Sequence, residues 1–174
     1  MFYQNDRLAI FVDGPNIYAT ARKLGLEIDY KEIIQAFSKR GRLVRATYVT
    51  SIVESESHNN VRPLIDWLQY NGWRVVLRPV KIFEDDDNSS RILKNIYTDL
   101  VVEMIKLSRT MDHIVLFGGS NNYAPAIKYL MDQGVHVTLV SSVQTKPAMI
   151  SDELRRLADS FIDIEDFSEA ISRK

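Results

Sequence analysis

Short apolar runs alternate with longer amphipathic stretches along nearly the whole chain, and this alternation restricts the fold more than any other feature. "LAIFV" (8–12), "LVRATYVTS" (43–51), "RVVLRP" (74–79), "HIVLFG" (113–118), "VHVTLVS" (135–141) and a short "SFIDI" (160–164) have the length and composition of strands. Between them, "NIYATARKLGL", "YKEIIQAFSKRG", "NVRPLIDWLQYNG", a segment from about Ser90 to Ser108, "YAPAIKYLMDQG" and "ISDELRRLADS" carry a helical period. Gly25, Gly41, Gly72 and Gly134 stand where a helix would close on a left-handed cap. Strand, helix, strand, helix predicts a parallel sheet of about five strands covered by helices on both faces. No repeat or linker breaks the pattern, so residues 1–174 read as one domain.

Composition agrees and removes several function classes. A chain with 45% hydrophobic and 26% charged residues can bury a proper core. Its 22 basic and 23 acidic residues nearly cancel, so no global field announces a nucleic acid or a membrane, although local patches can still do so. The absence of cysteine excludes disulfides and thiolate metal sites. The start "MFYQNDRLAIFVDG" lacks the basic opening and apolar length of a signal peptide, and no apolar run approaches the roughly 20 residues of a membrane span. A cytoplasmic chain with no membrane partner is the expectation. The one low-complexity stretch, "FEDDDNSSR" (83–91), reads as a mobile loop before the long helix, with Asp85, Asp86 and Asp87 solvated rather than gathered on a metal.

In an open α/β sheet, ligands bind beyond the carboxyl ends of the strands, where the strand order reverses. Two strand ends carry suitable residues. In "FVDGPNIY" (11–18), Asp13 ends a strand and projects into the cleft, Gly14 permits a tight turn and Asn16 can cap the following helix. In "LFGGSNNYAP" (116–125), Gly118 and Gly119 lead to Ser120 and Asn122 just before another helix. Such a loop usually holds carboxylates or phosphate-binding groups. Here its side chains are neutral.

These two stretches resemble the signature of the NYN domain, a branch of the PIN-like ribonuclease superfamily. "FVDGPNIY" is similar to that family's Asp-Gly-x-Asn-(Leu/Ile)-Tyr opening, and "LFGGSNNYAP" to its (Leu/Val)-x-Ser-Gly-Asp-x-Asp-Phe-x-Pro motif. The likeness extends through "RPLIDWLQYNGW" (62–73) and "PAMISDELRRLADSFIDI" (147–164), and points to the bacterial LabA-like members. It implies a three-layer α/β/α PIN-like (Rossmannoid) domain with a mainly parallel sheet. It also implies cleavage of single-stranded RNA with Mg²⁺ or Mn²⁺, held by about four acidic residues at the strand ends, since hard cations prefer carboxylate oxygens. The first acid is Asp13. An ungapped match of Leu100 and Glu103 puts Tyr97 at the second, and the third and fourth fall on Ser120 and Asn122.

Three of the four expected carboxylates are therefore replaced. Asp99 and Glu103, one helical turn apart, share a face and could stand in beside Asp13, although Asp99 lies about 200° around the helix from the family position. Ser120 and Asn122 suit a helix cap or a phosphate contact better than a magnesium ion. A binding surface can be drawn from Arg42, Arg45, Arg62, Arg74, Arg78, Lys81, Arg91 and Lys94, with Tyr48, Tyr97, Tyr123 and Trp73 interleaved. Three functions follow: a ribonuclease relative with impaired or lost hydrolysis that binds single-stranded RNA, an active enzyme using Asp13 with Asp99 and Glu103 on Mg²⁺ or Mn²⁺, or a non-catalytic structural subunit with a protein partner. The resemblance also suggests a homodimer.

Overall fold

The computed structural model describes residues 1–53, 61–80, 82–84, 90–92 and 96–172. Six strands form one sheet, all parallel: β1 (Arg7–Asp13), β2 (Arg42–Val53), β3 (Arg74–Val80), β6 (His113–Phe117), β7 (His136–Ser141) and β8 (Ser160–Asp163), in the order β3-β2-β1-β6-β7-β8. The helices are α1 (Gly14–Leu24), α2 (Tyr30–Ser38), α3 (Arg62–Tyr70), α4 (Tyr97–Ser108), α5 (Ala124–Asp132), α6 (Asp152–Leu157) and α7 (Ser168–Ile171). All six strands read from the sequence are present, one more than the expected size of the sheet. None of the helices among the described residues is long and apolar enough to cross a membrane.

Strand order explains where a crevice lies. From β1 the chain steps outward through β2 to β3, then returns to the other side of β1 and continues through β6, β7 and β8. The reversal leaves a crevice beyond the carboxyl ends of β1 and β6, between Asp13 and Gly118. Both central strands are buried on their two faces, which accounts for their almost unbroken apolar sequences. Ala9, Phe11, Ile114 and Leu116 pack with α4, α5 and α6, while Ile10, Val12, Val115 and Phe117 pack with α1, α2, α3 and α7.

Two expectations about local structure are corrected. The long helix begins at Tyr97 and not near Ser90, because Ser90–Ile92 forms a strand, β5, antiparallel to β4 (Ile82–Glu84). This ladder occupies both ends of the stretch read as a mobile loop. Asp85, Asp86 and Asp87 lie outside the described residues, as does Lys94. Gly25, Gly72 and Gly134 adopt positive φ as expected, whereas Gly41 does not. Its value is space: a Cβ there would come within 2.9 Å of the Leu8 side chain.

Candidate functional site

Asp13 is the last residue of β1 and the N-cap of α1, and it is only 3% exposed. Its Oδ1 accepts the backbone N–H of Asn16 at 3.0 Å, satisfying a donor that the first helical turn would leave unpaired. Its Oδ2 accepts the hydroxyl of Tyr123 at 2.6 Å. Gly14 continues directly into the helix, and only a residue without a side chain fits: a Cβ would lie 2.6 Å from the Tyr48 hydroxyl. Burial raises the Asp13 pKa, and the hydrogen bonds from Tyr123 and Asn16 pull it back only in part. Burial and the Asp13 charge push the Tyr123 phenol far upward, so it stays neutral and donates.

Tyr123 ends a short 3-10 turn, Asn121–Tyr123, that links β6 to α5, and it is completely buried. The ring of Tyr97, the first residue of α4, meets it edge to face at 5.3 Å between centroids. Gly118 lies close beneath both partners: a Cβ there would be 3.3 Å from the Tyr123 ring and 3.4 Å from the Asp13 Cβ. The position assigned to the second acid is thus linked to Asp13 through Tyr123, by an aromatic contact and the hydrogen bond of a neutral phenol.

The glycine loop is held from the other side by the segment entering α6. A Cβ on Gly119 would collide with the Met149 carbonyl oxygen and lie 2.7 Å from the Ile150 Cα, so glycine is required for contact. The Ser151 N–H donates to the Gly119 carbonyl at 3.0 Å, and the Asn121 amide donates to Glu153 Oε2 at 2.7 Å. Ser120 caps the 3-10 turn, its hydroxyl accepting the Asn122 N–H at 3.4 Å, and Asn122 is exposed.

Asp99 and Glu103 are engaged elsewhere. The Arg78 guanidinium grips Asp99 through two hydrogen bonds, 2.6 and 2.8 Å. Glu103 accepts from Arg74 at 2.8 and 3.2 Å and from Lys106 at 3.0 Å. Burial pushes the Glu103 pKa upward, but those hydrogen bonds outweigh it and the net shift is downward. The signal for these pairs was present in the sequence: Arg74 and Arg78 share one face of β3, as Asp99 and Glu103 share one face of α4.

The surface drawn from arginines and aromatics is not assembled as drawn. Tyr48, Trp73 and Tyr123 are core residues and offer no stacking face, a correction to that expectation. Arg62 pairs with Asp66 at 3.6 Å. Arg45 is exposed but pairs with Ala9, four positions before the residue opposite Asp13, so it lies toward the far end of the sheet from the crevice. The sequence reading missed Tyr18 and Tyr30 as well, which line a cavity beside Asp13.

A divalent cation is poorly served here. Mg²⁺ and Mn²⁺ want several hard oxygen ligands, yet both Asp13 oxygens have hydrogen-bond donors and no three His, Asp or Glu side chains gather among the described residues.

Comparison with known proteins decides the family. The NYN domain matches residues 7–165. The chain belongs to the NYN family. Within it, the chain is 30% identical over 177 residues to the low amplitude and bright protein LabA of Synechococcus elongatus, an alignment covering 99% of this chain and 91% of that protein. This NYN domain therefore fits the LabA-like branch. A crystal structure of a protein of unknown function, VPA0982 from Vibrio parahaemolyticus, has the same fold, with a TM-score of 0.77 over 99% of both chains at 18% identity.

Proposed function

We propose that this NYN domain binds single-stranded RNA and has lost most or all of the metal-dependent hydrolysis implied by its PIN-like ancestry. One observation carries the reading: the surviving acid, Asp13, is buried with the Tyr123 hydroxyl on one oxygen and the α1 backbone on the other. The motif that this loop resembles has phenylalanine at the Tyr123 position, where this chain carries a hydroxyl. It supplies, without a metal, a partner for a carboxylate that burial would otherwise leave costly to ionise. The replacement of the other acids by Tyr97, Ser120 and Asn122 supports the same reading.

Ser120 and the exposed Asn122 retain hydrogen-bonding capacity at the mouth of the crevice and suit a phosphate contact without cutting. Mg²⁺ and Mn²⁺ bind weakly or not at all in this reading. The domain acts as a homodimer, which light scattering tests by giving twice the chain mass. The main test is fluorescence anisotropy with labelled single-stranded RNA over a salt series. Affinity that falls with rising salt, with the RNA recovered intact, supports the reading. Absence of binding at low salt favours the structural-subunit alternative and its protein partner.

A further inference from the structure

A cavity of ≈ 460 Å³ is lined by residues of α1 and β2, within the range of about 300–1,000 Å³ common for small-ligand sites. Gly14 and Pro15 of α1 form one wall, immediately after Asp13, while Thr50 and Ser51 near the end of β2 form the floor. Three tyrosines, Tyr18, Tyr30 and Tyr48, also line it, with Val61 and Leu64. Among the described residues of the lining none is charged, so they offer no ion pair to a phosphate or a metal ion. Rings and short hydroxyls instead suit a neutral, flat group with polar edges.

The tyrosines divide the work. Tyr48 and Tyr30 are fixed, packed edge to face at 5.5 Å, and Tyr48 lies against Gly14. Tyr18 is different: it closes the turn motif "DGPNIY", yet it is 65% exposed and so contributes little to the core. A large ring held at the rim of a cavity by a rigid helix is a stacking face available to a ligand. Thr50 is 5% exposed, and its hydroxyl makes only a long 3.5 Å hydrogen bond to the carbonyl of the next residue. It therefore keeps most of its donor and acceptor capacity for something in the cavity.

The geometry points to a nucleobase-binding site in this cavity, with the base stacked on Tyr18 and its polar edge read by Thr50 and Ser51. Because Gly14 both lines the cavity and follows Asp13, a base seated there would leave its sugar and phosphate beside the crevice of β1 and β6. This inference rests on the RNA-binding reading for its source of bases; the base chemistry is shared by free nucleosides.

The 174-residue chain is titrated with a short labelled RNA, with the same ribose-phosphate chain lacking bases, and with the free nucleosides. Tyr18→Ala should weaken RNA binding about tenfold, the worth of one stacked base, without changing the salt slope. Tyr18→Phe should restore the affinity because the ring face is kept, and wild-type protein should prefer RNA over the baseless chain by a similar factor. Equal RNA affinity in wild type and Tyr18→Ala, or equal affinity for the chain with and without bases, overturns the inference. Should the wild type bind no RNA, the RNA reading fails and the nucleosides decide the cavity. Saturation-transfer NMR showing a nucleoside bound by wild type and lost in Tyr18→Ala then supports a base site that serves free nucleosides. No nucleoside signal up to about 10 mM, a concentration that detects even millimolar affinity, overturns it.

Discussion

Tyr123→Phe removes one oxygen atom and should expose the cost of keeping Asp13 in the interior. The hydroxyl donates to Asp13 Oδ2 at 2.6 Å, and neither residue is more than 3% exposed, so water does not readily replace the lost donor. A hydrogen bond to a charged group contributes about 1.5–3 kcal/mol, against about 1 kcal/mol for a neutral pair. At neutral pH the variant should therefore lose about 2 kcal/mol, or about 4–8 °C in melting temperature for a chain of this size. The loss should depend on pH with a definite sign. Burial already raises the Asp13 pKa in the fold, so its favourable contribution is complete below the unfolded value of 3.8 and fades as pH rises through the raised folded value. Deleting Tyr123's hydrogen bond lifts the folded pKa further and widens that window. Urea unfolding followed by circular dichroism at pH 7 and near pH 3.5 should thus give a smaller difference between variant and wild type at the lower pH. An equal loss at both values, or no loss at either, would refute the view that Tyr123 serves a buried carboxylate.

Gly119→Ala should destabilise the protein by about 2–3 kcal/mol in urea unfolding, because the added methyl collides with the Met149 carbonyl and two backbone segments must separate. His113, fully buried, stacked on Phe2 and bonded to Thr138 at 2.7 Å, has its pKa lowered to about 4 by burial, aided by His136 and the N-terminal amine. The fold then binds fewer protons than the unfolded chain between about 4 and 6.5, so stability present above 6.5 should be lost as pH falls through 4. In His113→Gln this part of the pH dependence of the melting temperature should disappear. Combining Tyr97→Asp, Ser120→Asp and Asn122→Asp should rebuild an acidic cluster that destabilises the metal-free fold by repulsion. Added Mg²⁺ should then restore about 2.7 kcal/mol at a hundredfold excess over Kd, seen as a melting temperature that rises with metal only in the triple variant.

The sheet was legible because its strands are short, apolar and separated by amphipathic stretches, three of them followed by a glycine at positive φ; β1 and β6 carry the apolar pattern without interruption. The start of α4 was not. Ile96 caps it without any side-chain hydrogen bond, so no Ser, Thr, Asp or Asn marks the boundary, and the pairing of Ser90–Ile92 with Ile82–Glu84 is a tertiary choice that local propensity does not decide. At the site, Asp13 and the glycine loop could be placed from their strand ends. The role of Tyr123 could not, because its hydroxyl reaches a carboxylate 110 positions away. Asp99 and Glu103 were read along their helix alone, whereas their partners Arg78 and Arg74 come from a neighbouring strand.

Single-turnover incubation of the 174-residue chain, in excess over labelled single-stranded RNA and with Mn²⁺, tests the central claim most directly. A denaturing gel should show the RNA intact over the whole time course, with wild type and Asp13→Asn indistinguishable, while native gels show the RNA bound. Manganese-dependent cleavage that disappears in Asp13→Asn would contradict the account and make the surviving aspartate a catalytic ligand.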